Sequence, residues 1–487
     1  MDFESIGTAD MSLLEQKSKM VVATASGSAL YQYLACFSAI LAPVSSGFHY
    51  GWPSPTLPRL LAEDSLIPIN EDQGFWLATM PLFGGFVGSF TNPLLVDKIG
   101  RHKMILLTSG PYLMAWIMIY FARNVPMMYI ARFIAGISDG WSFSSVPMYT
   151  GEVSDANKRG MFASWTSISF IFGILGVNFV GSYLSIQHTA IVGGAIPVLL
   201  ILTFMWMPES PYYYIVKNNL EGARRSLKIL RGLSDVDVET ELNRIDKAVK
   251  ADLTKARINP LHLFTLKRNR KAVLIMMLCR GTQQFSGNSA ISFYAQNIFN
   301  TSGDFMSAKL ASNLFFLTQL VVTILASTVV DKIGRRPLIL ISVAGVGITL
   351  MVEGIYFYLQ TVIDVSSFAM VPVIALLVYI IFFSIGLQGI PIIILSEVFN
   401  ADIKSIALGF AEIYFAIIAT ATSKFFQVTR DHYGMHVPFI SFSTICAIAV
   451  VLIFIMVPET KGKTLEEIQD YFKGVKHTKS TRECSNS

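Results

Sequence analysis

The sequence predicts an all-α membrane protein in which twelve transmembrane helices form two halves of six. The first observation is composition: the 487 residues are 53% hydrophobic and only 15% charged, whereas soluble domains contain about 25% charged residues. A soluble globule this apolar would expose large aggregating patches. The second observation is a set of twelve apolar runs, each close to the roughly 20 residues needed to cross the hydrocarbon core.

Six of the predicted spans precede a polar central stretch and six follow it. Glycine and proline within them do not exclude helices, because neighbouring helices satisfy freed backbone groups. In order, the spans are 32–56, 73–96, 103–122, 126–149, 160–184, 189–207, 271–299, 308–330, 337–360, 367–396, 405–428 and 435–457. The expected units are an N-terminal tail (1–29), a first half (30–207), an intracellular helical loop (208–270), a second half (271–458) and a C-terminal tail (459–487).

The distribution of Lys and Arg predicts that both termini are cytoplasmic. These residues concentrate in the tails, the central loop and the short turns on the same side, as the positive-inside rule requires. The opposite side holds only Arg59, Arg123, Lys309, Lys424 and Arg430. The sequon at Asn300 also falls on that side and is a predicted glycosylation site. The polar N-terminus has no signal-peptide pattern, so no cleaved signal is expected.

The central loop has a helical periodicity. Apolar residues recur every three or four positions at Leu220, Ala223, Leu227 and Leu230, and again at Val238, Leu242, Ile245, Val249 and Leu253. This spacing predicts amphipathic helices lying under the membrane domain; a partner-binding module is the alternative. The net charge of +5 is too dilute for nucleic-acid binding. The four cysteines have neither disulfide nor metal-site spacing, and no metal, cofactor or catalytic residue is expected.

A charged motif appears once in each half. Asp97-Lys98-Ile99-Gly100-Arg101 recurs as Asp331-Lys332-Ile333-Gly334-Arg335, each time on the turn after the second span of the half. Glu152 and Glu397 each end a fourth span, and a basic residue, Arg159 or Lys404, follows seven positions later. Two six-span halves with matching charged turns are typical of a duplicated transporter.

On these motifs the chain resembles the sugar porter family of the major facilitator superfamily over residues 30–470. The other motifs that carry the resemblance are Arg132-x3-Gly136-x3-Gly140, Pro208-Glu209-Ser210-Pro211, Gln283-Gln284-x-Ser286-Gly287 and Pro458-Glu459-Thr460-Lys461-Gly462. Within that family, Gly47-Phe48-x3-Trp52-x-Ser54-Pro55 is similar to the insect facilitated trehalose transporters.

The resemblance implies a facilitative uniport carrier of trehalose or a hexose, not an enzyme, working by alternating access as a monomer in the plasma membrane. Its partners would be the sugar and the lipid bilayer, with no nucleic acid. Two alternatives remain open: a carrier of another polar or anionic solute, and a non-transporting nutrient sensor.

The resemblance also implies that the charged turns form a gate that locks the outward-open state. The alternative is that these charges only fix topology. The gating residues are Asp97, Arg101, Glu152, Arg159, Asp331, Arg335, Glu397 and Lys404.

Sugar contacts are implied near the middle of the membrane. The amides Gln283 and Gln284 can donate and accept hydrogen bonds, although helix-to-helix bonding is the alternative. The remaining implied substrate positions are Asn288, Ser289, Gln319, Ser167 and Ile392, with Phe293 and Tyr294 as an outer gate. Ser167 stands where the family commonly has Gln, Ile392 where it usually has a Trp that packs on the sugar, and Phe415-Ala416 where Asn-Trp is common.

Ionisable residues within the spans mark function by default. His49 occupies the place where proton-linked members carry Asp, so a neutral structural or gating role and a proton-sensing role both stand, and uniport is favoured. Arg132 is expected near a cytoplasmic helix end in a structural role. Arg280 is expected to pair with Asp139 or Glu412 across the interface of the halves, or else to face an anionic substrate.

Overall fold

The computed structural model describes residues 30–155, 158–232, 234–253, 262–265, 267–303, 305–399 and 401–461. Within these ranges the regular secondary structure is entirely helical. The whole N-terminal tail and residues 462–487 of the C-terminal tail lie outside the described residues.

Each predicted span of the first half coincides with one helix or, for the first span, with three short helices in succession. Pro53 opens the third of these short helices, at a position where its missing N–H costs nothing. The helices are α1 (Leu30–Ala39), α2 (Leu41–Gly51), α3 (Pro53–Leu60), α4 (Glu71–Ile99), α5 (Arg101–Tyr120), α6 (Val125–Val153), α7 (Arg159–Tyr183) and α8 (Ile186–Phe204).

The second half repeats this order, with breaks in its first and fourth spans. Its helices are α13 (Lys267–Phe285), α14 (Asn288–Phe293), α15 (Ala295–Thr301), α16 (Ala308–Ile333), α17 (Arg335–Val362), α18 (Met370–Phe382), α19 (Ile390–Val398), α20 (Ala401–Tyr433) and α21 (His436–Met456). Seven helical stretches of the described chain are long and apolar enough to cross a membrane. The other predicted spans are interrupted or less apolar.

Small residues bring the helices of the first half into close contact. A Cβ on Gly84 of α4 would stand 2.1 Å from the Phe133 carbonyl oxygen of α6, and one on Gly136 of α6 would stand 2.2 Å from the Pro81 carbonyl oxygen. Small residues at such crossings let backbones approach closely in a membrane. The Gly136-x3-Gly140 motif is therefore a packing motif.

The two halves meet along α4 with α20, α7 with α16, and α2 and α3 with α14 and α15. The end that carries Asp97–Arg101 and the central loop is called the charged end below, and the opposite end is called the far end.

The central loop folds as amphipathic helices, as predicted. These are α9 (Pro211–Val216), α10 (Leu220–Arg231), α11 (Asp235–Leu253) and α12 (His262–Thr265). All the predicted apolar positions from Ala223 to Val249 are buried, whereas Leu220 is exposed. Arg231 bonds Glu241 at 2.6 Å and Asp155 at 3.5 Å, so the loop is fastened to the first half.

Candidate functional site

The first span of the second half is broken at a glycine. Gly287 separates α13 from α14 with φ +82°, and a Cβ there would stand 2.6 Å from the Phe442 ring. Only glycine adopts this conformation without strain. The break places Gln283 and Gln284 on one side and Asn288 on the other.

A second break lies in the tenth span. After α18 the chain makes a π-helical turn over Phe383–Leu387, and two residues separate this turn from α19. The Ser342 hydroxyl of α17 accepts from the Leu387 N–H at 2.9 Å and donates to the Phe382 carbonyl oxygen at 2.7 Å. Gln283 Nε2 donates to the Gln388 carbonyl oxygen at 3.1 Å. The two broken helices are therefore joined by a predicted site residue that satisfies a carbonyl beside the break.

Buried amide atoms without partners surround this junction. Ser289 Oγ donates to Gln284 Oε1 at 2.6 Å, while Gln284 Nε2, Asn288 Oδ1 and Gln319 Oε1 have no hydrogen-bond partner among the described residues. Gln319 Nε2 donates to Gln388 Oε1 at 3.4 Å. Because buried polar atoms are almost always paired, this cluster has the chemistry to receive the hydroxyls of a ligand.

Aromatic side chains close the site toward the far end. The Tyr50 hydroxyl of the first half lies 3.0 Å from Ser289 Oγ, and the Tyr50 ring packs against Phe293 at 4.9 Å and Phe170 at 5.3 Å. Tyr294 stacks on Phe426 at 5.6 Å. The contact from Tyr50 crosses between the halves, and the sequence did not single this residue out.

Two predicted substrate positions take no part in the hydrogen bonds described for the polar cluster. Ser167 is exposed on α7 and has no hydrogen-bond partner among the described residues. Ile392 of α19 is 44% exposed. Neither supplies a polar contact or an aromatic face to the junction.

Arg280 is neutralised within the second half. It is 3% exposed, bonds Glu412 of α20 and donates from Nη1 to Gln283 Oε1 at 2.9 Å. Its guanidinium also lies 4.6 Å from the centroid of the Phe415 ring. Both charged partners belong to the same half, so the pair does not cross the interface as expected. It instead orients Gln283.

The ionisable residues of the first half form a separate buried group. His49 is fully buried between Trp116, at 4.1 Å, and Tyr112, at 5.4 Å. Asp139 accepts from the Tyr112 hydroxyl at 2.7 Å rather than pairing with Arg280.

Arg132 is also fully buried in the first half. It donates to the carbonyl oxygens of Leu77 and His49, and so ties α6 to α4 and α2. The expected position of Arg132 near a cytoplasmic helix end is wrong, because it lies about two turns after the start of α6, at the far end.

At the charged end the duplicated motif has duplicated geometry. In the first half Arg101 Nε lies 3.2 Å from Glu152, and Glu209 accepts from the Arg101 N–H at 3.0 Å. In the second half Arg335 lies 3.1 Å from Glu397, and Glu459 accepts from the Arg335 N–H at 3.1 Å. Each half thus has an Arg–Glu pair and a second carboxylate that caps the first residues of its third span, which are the start of α5 in the first half and of α17 in the second.

The other predicted gate residues form few ion pairs among the described residues of the charged end. Asp97 lies 3.5 Å from Arg101, and Arg159 is exposed without a partner among the described residues. The side chains of Asp331 and Lys404 lie outside the described set. Within that set, no ion pair at the charged end joins the two halves.

Ion pairs between the halves occur at the far end instead. Arg430 of α20 lies 2.6 Å from Glu71 of α4, and Lys424 lies 2.6 Å from Asp72. These four residues are called the far-end clamp below. The sequence did not predict the clamp, although Lys424 and Arg430 were two of the five basic residues on that side.

Asn300 and Glu353 lie outside both the polar cluster and the ion pairs at the two ends. Asn300 is exposed in the last turn of α15, so its side chain is accessible. Glu353 of α17 was missed by the sequence analysis. It is fully buried, and neither carboxyl oxygen has a partner among the described residues.

This architecture is that of a major facilitator carrier, a membrane transporter built from two related six-helix halves. The chain belongs to the family described as sugar (and other) transporters, whose model matches residues 13–472. The facilitated trehalose transporter Tret1 of Bombyx mori is 32% identical over 440 residues, covering 90% of this chain and 86% of the relative. Tret1 of Apis mellifera ligustica is 30% identical over 445 residues, covering 91% and 88%. These relatives are carriers, not enzymes.

Solved structures agree on the fold. The inward-open xylose transporter XylE of E. coli superimposes with a TM-score of 0.76 at 20% identity, covering 90% of this chain and 99% of that one. The proton:xylose symporter XylE bound to 6-bromo-6-deoxy-D-glucose gives a TM-score of 0.72 at 22% identity, covering 91% and 99%. At this identity the comparison establishes the fold alone.

Proposed function

We propose that this protein is a facilitative carrier of trehalose or another neutral sugar, working as a monomer in the plasma membrane with both termini cytoplasmic. The observation that carries the proposal is the junction of two broken helices near Gln283 and Gln388, lined by buried amide atoms without partners. Discontinuous helices at the meeting of repeats are where carriers bind substrate. Amides that donate and accept suit sugar hydroxyls.

Neutral substrate is favoured over an anion because Arg280 already has a carboxylate partner, Glu412. Uniport is favoured because His49 lies fully buried in an aromatic stack, and neither ring nitrogen has a partner among the described residues. A charged imidazolium there would be desolvated without compensation. A proton path through His49 would therefore need a rearrangement of this stack.

Alternating access is supported by the difference between the two ends, since ion pairs join the described parts of the halves at the far end but not at the charged end. With the charged end cytoplasmic, the far-end clamp and the Tyr50–Ser289 contact hold the outside closed. The charged-end pairs of Arg101 and Arg335 would then engage partners across the halves when the carrier opens outward. Enzymatic removal of a glycan from Asn300 tests the orientation: a mobility shift lost in Asn300→Gln supports it.

Uptake of labelled trehalose and glucose into cells expressing the protein tests the function, at pH 6 and 7.5 and with a protonophore. We expect saturable uptake that is indifferent to pH and protonophore, lost in Gln284→Ala and retained in Gln360→Ala. Gln360 is a matched amide at the surface, and its side chain donates to the Thr301 carbonyl oxygen at 3.1 Å. No uptake of either sugar by protein confirmed at the surface would overturn the proposal.

A further inference from the structure

Gln388 is held in place by an unusual backbone. Its N–H donates to the Phe383 carbonyl oxygen at 3.0 Å, which closes the π-helical turn, and Ser342 fixes the preceding residue. Single π-helical turns within α-helices are often found at functional sites. Because the backbone is fixed at the turn, the direction in which the Gln388 side chain leaves the helix is set by the fold.

The side chain of Gln388 lies where three spans meet. Its Oε1 atom accepts from Gln319 Nε2 of α16 at 3.4 Å and lies 3.4 Å from Thr323 Oγ1, whose single hydrogen is donated to the Gln319 carbonyl oxygen at 2.7 Å. Its carbonyl oxygen accepts from Gln283 Nε2 of α13. Two of the sugar contacts implied by the sequence therefore converge on a residue that the sequence analysis did not select.

The bonds to this carboxamide are long. The usual donor–acceptor distance is about 2.9–3.0 Å for an N–H···O bond and about 2.7–2.8 Å for an O–H···O bond, so contacts at 3.4 Å are weak and can be exchanged for ligand hydroxyls at little cost. Gln319 Oε1, beside them, has no partner among the described residues. The Gln388–Gln319 pair is thus an incompletely satisfied amide pair within the candidate site.

We propose that Gln388 is a specificity-determining residue that binds a ring hydroxyl of the sugar together with Gln319. The proposal rests on the proposed function. The tenth span offers no aromatic platform at position 392, one turn after Gln388, since the residue there is the aliphatic Ile392. Recognition in this part of the site therefore depends on hydroxyl hydrogen bonds rather than on ring stacking. A site built to bond a hydroxyl discriminates strongly against an analogue that lacks it, because its polar groups are left unpaired.

Competition by single-position deoxyglucoses against uptake of the transported sugar tests this inference. In the wild-type protein we expect one deoxy analogue to compete at least about tenfold more weakly than its parent sugar. In Gln388→Leu that penalty should disappear for the same analogue alone, with a raised KM and little change in kcat. Gln388→Asn, which keeps the amide on a shorter side chain, should retain part of the penalty.

The substitution leaves the backbone bond from Gln283 intact, because that bond uses the carbonyl oxygen of Gln388. Thermal unfolding in detergent checks that both variants fold. Gln360→Leu is the matched surface control and should keep the wild-type pattern. Wild-type uptake with an unchanged deoxy pattern in Gln388→Leu overturns this inference alone, whereas absence of wild-type uptake overturns the proposed function and this inference with it.

Discussion

Arg430 and Glu71 form a 2.6 Å ion pair across the boundary between the halves at the far end of the bundle. Glu71 is the first residue of α4, and Arg430 lies in the last turn of α20. The guanidinium also lies 5.1 Å from the centroid of the Tyr294 ring, so it contacts the broken span of the second half. Opening the far end separates these groups, and the pair therefore favours the closed far end.

Glu71→Gln is expected to shift the carrier toward an open far end. A partly exposed ion pair contributes on the order of 1 kcal/mol, which corresponds to about a fivefold change in population. Labelling of Ser182→Cys by a membrane-impermeant thiol reagent measures the shift, because Ser182 is 1% exposed at the interface and bonded to Gln296.

The same measurement has two controls. Asp72→Asn removes the more exposed carboxylate of the clamp and should have a smaller effect. The exchange Glu71→Arg with Arg430→Glu should restore slow labelling. Equal labelling of wild type and Glu71→Gln would show that the pair does not hold the far end.

Gly287→Ala is expected to abolish the site. The positive φ costs an L residue roughly 1–2 kcal/mol, and the new Cβ would overlap the Phe442 ring. Gly389→Ala is the matched control beside the other break, since no atom outside its immediate chain neighbourhood lies within 4 Å of the Cβ position. We expect lower thermal stability and lost uptake only in Gly287→Ala. Wild-type stability and uptake in Gly287→Ala would show that the break does not require glycine at position 287.

Glu459→Gln is expected to lower thermal stability at neutral pH. Although burial raises the pKa of Glu459, four backbone N–H groups that donate to it, including those of Arg335 and Arg336, bring the pKa below its usual value. A lowered pKa means that the carboxylate stabilises the folded state above its unfolded pKa and that this stabilisation is lost as pH falls through the folded value.

Melting of the purified protein in detergent tests this sign. The difference in Tm between wild type and Glu459→Gln should be present at pH 7 and shrink as the pH falls below about 4.5, the ordinary value for Glu. Glu63→Gln, in a described loop at the far end, is the control. A difference that grows on acidification would contradict the capping role.

Glu412→Gln is expected to destabilise the second half and to reduce uptake, because it leaves Arg280 buried without its carboxylate. The loss should be smaller than the roughly 3–5 kcal/mol of a fully buried pair, since the Glu412 side chain is 50% exposed. The double variant Arg280→Met with Glu412→Leu should recover stability. If the double variant melts at a lower temperature than Glu412→Gln, an unpaired Arg280 is not the cause of the lost stability.

The helical spans and the central-loop helices could be predicted because length, composition and periodicity are local properties. The duplicated charged turns were also visible, since each motif lies close together in the chain. The polar partners could not be predicted in this way. Gln388, for example, becomes part of the site only through a π-helical turn and contacts with α13 and α16. Arg132 was assigned to the wrong end, although the order of the spans already placed the start of α6 on the far side.

By itself the sequence determined a membrane-embedded, duplicated helical carrier with amides in its seventh span, because apolar length and repeated motifs require no knowledge of distant contacts. Only the tertiary structure decided that Arg280 pairs with Glu412, that Gln388 joins the site, and that ion pairs between the described parts of the halves lie at the far end. These features depend on distances between residues far apart in the chain, and hydrogen bonds and ion pairs form only at short range.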